Sequence, residues 1–269
     1  MNNKKSGIFN AKVIIILLFT LTALPVALAR FTAKKNFNGS LNVNNHPGAS
    51  PFGPGAKTIL EKDGGIDAIK AKITPDFSKI ADTEEGMFMA EDDYGESYYY
   101  RGKADNWLSF AGFYWRIIRI NGDGSIRLIY SGTKDNHTGV GAWVGTSAYN
   151  PSYDNLKYAD YKISTIKTAV DSWYKTNVLD KGYDSKIADS GYCNDKTLAG
   201  KNYFVSGERV YKNKKPSLKC SETDFLKARN QDLTYSIGLI TSNEVMFAGG
   251  IYFSDNKNYF LYIGDITLA

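Results

Sequence analysis

The chain reads as an α+β protein: an antiparallel β-meander with packed amphipathic helices, set behind an N-terminal signal or anchor helix and a flexible linker. Three observations carry that reading. Residues 87–131 alternate short apolar runs with turn residues, and ten aromatics fall between Tyr94 and Tyr130. Ile163, Ile166, Val170, Trp173 and Tyr174 recur at helical spacing. Val13–Ala29 is an apolar run preceded by Lys4, Lys5 and Lys12.

That first run has the order of a secretory signal. A positive flank precedes an apolar stretch, which ends in Ala27-Leu28-Ala29 with small residues at the two positions a signal peptidase requires. Seventeen residues fall short of the roughly 20 that span a bilayer, and Pro25 interrupts a helix near its end. The alternative is an uncleaved membrane anchor with its C-terminal side outside. No cysteine follows the run, which excludes a lipoprotein. The expected organisation is a signal or anchor over 1–29, a linker over 30–56, and one extracellular α+β domain over 57–269. The location expected is secreted or at the cell surface.

Charge narrows the partners. Cleavage after Ala29 removes three lysines and no acids, so the formal net charge falls from +5 to +2. A domain so nearly balanced is not a nucleic-acid binder. Nineteen tyrosines against two histidines favour a β-rich extracellular surface over acid–base chemistry near neutral pH.

The elements follow in order. Asn36–Gly55 holds five Asn, four Gly, three Pro and two Ser in twenty residues without a charge, and reads as a spacer. Ala56–Lys72 has helical apolar spacing broken at Gly64-Gly65. Asp93-Tyr94-Gly95-Glu96 turns between strands at Met87–Asp92 and Ser97–Arg101. Strands follow at Trp107–Phe110 and Gly112–Ile120. Asn121-Gly122-Asp123-Gly124 is the strongest hairpin signal, leading into Ser125–Tyr130. Lys162–Leu179 predicts an amphipathic helix. Strands are expected at Tyr203–Tyr211, Ser236–Ile240 and Tyr259–Ile263. Thr241, with Glu244 three residues on, opens a short helix that Gly249-Gly250 stops.

Cys193 and Cys220 are the two cysteines of the chain. In an oxidising compartment such a pair is read first as a disulfide, and its 27-residue separation makes it worth about 3–4 kcal/mol in the chain-entropy model. The rival reading is a nucleophilic Cys193 served by His137.

The blocks Ser97-Tyr98-Tyr99-Tyr100-Arg101-Gly102 and Phe110 through Arg127 resemble an uncharacterised family of exported Gram-positive bacterial surface proteins. Gly191-Tyr192-Cys193-Asn194-Asp195, Pro216–Cys220, Ile237–Thr241 and Phe247–Gly250 match its later blocks. The similarity covers residues 56–264. It implies that further strands normally follow, so that this chain is expected to be incomplete at its C-terminal side. The layout of the full family is loosely similar to C-type-lectin-like domains, whose ligand loops lie largely in the later half. That is fold-level analogy.

No phosphate-binding loop, dinucleotide fingerprint, metal motif or nucleophile elbow is present, and no cofactor or metal is expected. Glu84-Glu85 and Glu91-Asp92-Asp93 with Glu96 offer part of a calcium loop or a glycosidase pair; a solvated hairpin turn explains them more simply. The aromatics that remain for a ligand are Trp143, Tyr149, Tyr153 and Tyr94; Trp107 is read as core, and a core position is the simpler reading of Trp143 too. The function expected is a non-catalytic surface or secreted binding module for a glycan, a cell-wall component or a surface protein. The alternatives are a structural subunit of a surface assembly and an extracellular hydrolase using carboxylates.

Overall fold

The computed structural model describes the main chain of residues 13–17, and residues 52, 54–134, 144, 147–149, 162, 164–198, 204–251 and 256–262. The spacer up to residue 51, His137, Trp143 and Tyr153 lie outside the described residues. The fold class is α+β, as the sequence predicts.

Helix α1 (Pro54–Lys62) begins inside the segment read as linker. Proline suits a first helical position because its missing N–H would have no partner there. Ala56, Ile59 and Leu60 are buried along one face. Gly64 and Gly65, at φ 94° and 87°, then bend the chain into α2 (Ile66–Lys70), as expected. Asp63, between the helices, ties them to the sheet: its carboxylate accepts from the Tyr100 hydroxyl at 2.9 Å and the Met87 N–H at 3.1 Å.

The meander forms where the aromatics and turn residues place it. β2 (Gly86–Asp92) and β3 (Gly95–Arg101) pair antiparallel from Gly86 opposite Arg101 to Asp92 opposite Gly95. β4 (Trp107–Phe110) turns back on β5 (Phe113–Ile120), and β5 on β6 (Ile126–Tyr130). The second turn closes as its sequence requires. Gly124, at φ 81°, donates to the Asn121 carbonyl at 2.8 Å, and Asp123 accepts from the Ser125 N–H. Every residue of β6 is buried, and so is β5 from Trp115 onward. A run apolar on both faces reads as a covered, central strand.

Two further strands complete the sheet among the described residues. β1 (Val13–Leu17) lies parallel to β6 on one side and to β9 (Ile237–Leu239) on the other. The order is β2-β3-β5-β6-β1-β9, with β4 also on β5. The sequence predicts a signal or anchor helix over this run, and its first five residues are instead a strand. Val-Ile-Ile-Ile-Leu is β-branched at four of five positions, a composition that fits a parallel strand with neighbours on both edges. Among the described residues no helix is long and apolar enough to cross a membrane.

Helix α3 (Thr165–Tyr174) continues into a π-helical turn, Lys175–Leu179, over the span expected for one amphipathic helix. Ile166, Val170, Tyr174 and Val178 are buried on the sheet side. Trp173 meets Phe113, Trp115 and Tyr130 at ring-centroid distances of 5.5, 6.2 and 5.3 Å. Such pairs are worth about 0.5–1.5 kcal/mol each beyond burial, so this cluster fixes α3 on the meander. Helix α5 (Ser242–Ala248) carries the expected capping box between Thr241 and Glu244 and stops at Gly249, at φ 116°. It is held to β3 by the buried Arg101, which donates to the Met246 carbonyl at 3.1 Å and pairs with Glu85 at 2.7 Å.

Two expected strands are not formed among the described residues. Within Tyr203–Tyr211, helix α4 (Val205–Gly207) runs into a π-helical turn, Glu208–Asn213, capped by Lys214 in the left-handed region. The segment is rich in strand-forming residues, but among its described residues only Val210 is buried, which leaves no alternating face there to lay on a sheet. Tyr259, Phe260 and Leu261 are buried in a turn rather than a strand. Phe260 donates its N–H to the Gly102 carbonyl at 2.8 Å, while Tyr262 bonds back to Tyr259.

Candidate functional site, a polar-rimmed cleft along the last strand

The two cysteines form a disulfide, with Cα atoms 5.7 Å apart. It joins β7 (Tyr192–Cys193) to the segment before β8 (Phe225–Leu226), and these two strands form a small separate ribbon. The ribbon is pinned to the meander at the β2–β3 turn. The Cys220 N–H donates to the Asp93 carboxylate at 3.0 Å, and the Gly191 N–H donates to the Tyr94 hydroxyl at 3.1 Å. Tyr94 also stands over Phe225, its ring 5.7 Å from that ring, with the Lys227 ammonium 5.0 Å away. Tyr94, singled out as a ligand aromatic, is therefore a clamp between hairpin and ribbon.

A cleft of about 280 Å³ opens between α3, the ribbon and the β9–α5 segment. Its apolar floor comes from Val170, Leu226, Ile237 and Leu239. Its rim is polar: Lys167 and Asp171 from α3, Asn194 and Asp195 just after β7, Ser206 from α4, and Thr241 at the start of α5, with the buried Asn243 behind them. Tyr149, half-buried and packed against the core, also lines the cleft. The N-cap residue of α3 places it, because the Ser164 hydroxyl donates to the Tyr149 carbonyl at 2.7 Å. Of the four aromatics picked from sequence, Tyr149 lines this cleft; Trp143 and Tyr153 lie outside the described residues.

Sequence reasoning passed over Asp195. It has a left-handed backbone (φ 43°), uncommon outside glycine, and it lines both the cleft and a smaller neighbouring cavity of about 30 Å³. Its carboxylate accepts from the Arg209 guanidinium and from the Asn243 amide. Burial raises its pKa, against the pull of Arg209, which lowers it. The signal for it in sequence was slight: one Asp in Asn194-Asp195, adjoining a cysteine.

Behind the smaller cavity lies a buried charge cluster. Glu244 stands 3.5 Å from both the Arg119 and Arg127 guanidiniums, and its other oxygen accepts from the Thr241 N–H at 3.0 Å. Burial works to raise the Glu244 pKa, but the two cations and Thr241 outweigh it, so the carboxyl is held below its usual range. Arg127 also lies over the Tyr192 ring at 4.6 Å and donates to the Gly191 carbonyl. The cluster joins β5, β6, α5 and the ribbon, and sets the back wall of the site.

Of the acidic residues considered for metal or glycosidic chemistry, Glu84 is exposed and the others have partners in the fold. Asp92 is buried and accepts from the Tyr94 and Gly122 N–H groups at 2.8 and 3.1 Å, closing both hairpin turns against each other. Glu91 pairs with Lys219, Glu96 with Lys70, and Glu85 with Arg101. Trp107 is half-buried rather than fully core, with the buried Arg116 guanidinium 4.2 Å from its ring. Cys193 is oxidised, which removes the thiol that the nucleophile reading requires. No protein-family model, curated protein or solved structure matches this chain.

Proposed function

We propose that this is an exported, non-catalytic binding module of the cell surface, and that its ligand site is the cleft along β9. The observation that carries this reading is the cleft's chemistry: an apolar floor under a rim of amides, hydroxyls and paired charges, with the half-buried Tyr149 in its lining. A small set of oriented polar groups around an apolar base is the usual make-up of a small-ligand site. Rim charges here are neutralised by neighbours, Lys167 by Asp171 and Asp195 by Arg209. The rim thus favours a neutral, polyhydroxylated ligand such as a saccharide of a cell-wall glycan, with its apolar face on Tyr149. Export rests on the Lys-flanked apolar run and Ala27-Leu28-Ala29, and membership of the exported surface family on the aromatic blocks. The ties that hold Glu85, Glu91, Asp92 and Glu96 support a non-catalytic role.

The test is a screen of neutral oligosaccharides and soluble muropeptides, followed by titration calorimetry on each hit. Ser206→Trp fills the cleft from a half-buried position and is expected to weaken binding at least tenfold with little change in thermal midpoint. Absence of binding across the screen, or hits indifferent to Ser206→Trp, would sink the reading.

A further inference from the structure

One segment of this chain has two incompatible uses. Val13–Leu17 is the strand between β6 and β9, and it lies inside the run that the sequence marks for cleavage or membrane anchoring. The structure shows what depends on it. β6 and β9 do not pair with each other among the described residues; each is joined to β1, in register from Val13 opposite Ile126 to Ile16 opposite Ile129, and from Ile15 opposite Ile237 to Leu17 opposite Leu239.

The slot belongs to the core, not to the rim of the sheet. Ile126, Leu128 and Ile129 are at most 3 % exposed, and Ile237 is 3 % exposed. Without a strand between them, the facing main-chain N–H and C=O groups of β6 and β9 lose their partners inside this core. Each such buried group costs about 1–3 kcal/mol. β1 also differs in kind from the rest. It runs parallel to both neighbours, whereas every other pairing in the sheet is antiparallel. It is an inserted strand, not a continuation of the meander.

We propose that the β6–β9 gap is a strand-acceptor site. In the full chain it is filled by the chain's own Val13–Leu17. In an exported molecule whose N-terminal run is cleaved or held in the membrane, it takes an extended strand from a partner polypeptide. The slot defines that strand's chemistry: at least five residues, uncharged, β-branched at successive positions, and entering parallel to β6. Main-chain hydrogen bonds supply the affinity, as in other strand additions. The inference rests on the export reading above. Ile237 and Leu239 serve both the slot and the cleft floor, so the two are told apart by their assays: peptide displacement tests the slot, and the Ser206→Trp comparison tests the cleft.

The test uses the full chain with a protease site placed in the spacer near Asn38, cut under native conditions. The cut N-terminal piece is expected to co-elute with the domain and to be displaced by excess fluorescent peptide of residues 10–19 carrying a lysine tail. The same peptide with Ile15→Pro is expected to bind about a hundredfold more weakly, because proline removes a ladder N–H at the centre of the strand. If the cut domain precipitates once the piece leaves, refolding with each peptide is read instead. Recovery with the native peptide alone supports the proposal; recovery with neither or with both overturns it. Departure of the piece with an unchanged thermal midpoint also overturns it. A dimer in which a second copy fills the slot would overturn the partner strand in favour of self-exchange.

Discussion

Glu244→Gln is the sharpest perturbation of this fold, because it changes one charge at the point where four elements meet. Its carboxylate faces the guanidiniums of Arg119 and Arg127 at 3.5 Å each, with side chains 9 % and 3 % exposed. At an effective dielectric constant of about 20, each contact is worth about 5 kcal/mol of attraction, largely offset by the desolvation of three ions. Removing one partner leaves the others buried without their counter-charge, at a cost of about 3–5 kcal/mol. The amide also turns donors toward two donor groups. With a urea slope of about 2 kcal/mol per M, the midpoint should fall by about 2 M. Thr241→Ala, which removes only the side-chain half of the capping box, should cost about 1 kcal/mol and move it by about 0.5 M. The assay is equilibrium urea unfolding of both variants beside the parent, at 0.05 and 1 M salt. Because the pairs are buried, the Glu244→Gln shift should barely depend on salt. A Glu244→Gln cost no larger than that of Thr241→Ala would refute the reasoning: the cluster would then be a neutral feature of the core.

Three further predictions follow from the same geometry. Reducing Cys193–Cys220 frees a loop of 27 residues' separation and should destabilise the domain by about 3–4 kcal/mol, read as a drop in urea midpoint with and without reductant. Burial raises the Asp92 pKa against the pull of Arg119, so the native state binds a proton there more readily than the unfolded chain does. Stability should therefore rise as pH falls from neutral toward the ordinary aspartate value of about 3.9, and fall again as Glu244, held low, is finally protonated. Midpoints measured from pH 7 to pH 3 check this, and Asp92→Asn should reduce the rising limb to the part that Asp195, whose pKa burial also raises, contributes. Gly238→Ala would set a Cβ 2.4 Å from the Tyr192 ring and should cost about 1–3 kcal/mol, measured by thermal unfolding.

The meander was legible because its signals are local. Asn121-Gly122-Asp123-Gly124 specifies its own turn, the alternation after it specifies a face, and Thr241 with Glu244 specifies a helix start within four residues. The missed strands failed for the converse reason. Tyr203–Tyr211 has strand-forming composition, but whether it joins a sheet depends on a buried partner face that no local pattern encodes. The cleft was half legible. Tyr149 could be picked as an unassigned aromatic, whereas Asp195 matters through its left-handed backbone and its distance in sequence from Arg209 and Asn243. The Arg119–Glu244–Arg127 cluster joins residues more than a hundred positions apart, and charged residues within apolar strands gave only the hint that something must neutralise them.

The N-terminal run shows where composition stops deciding. Lys-flanked apolar residues followed by Ala27-Leu28-Ala29 meet the requirements of an export signal, and Val-Ile-Ile-Ile-Leu meets those of a buried parallel strand. Both environments select for apolar side chains and satisfied main-chain groups, so the composition of these five residues suits either. What separates the two is the partner on offer. A membrane offers none for a strand, and there the segment must close its hydrogen bonds within a helix. The β6–β9 gap offers two open edges in parallel register, and there the β-branched residues favour the strand. On the strand-acceptor proposal the competition is between compartments rather than between conformations in one solvent, and the slot would be vacated only where something drew that run into a membrane or cut it away.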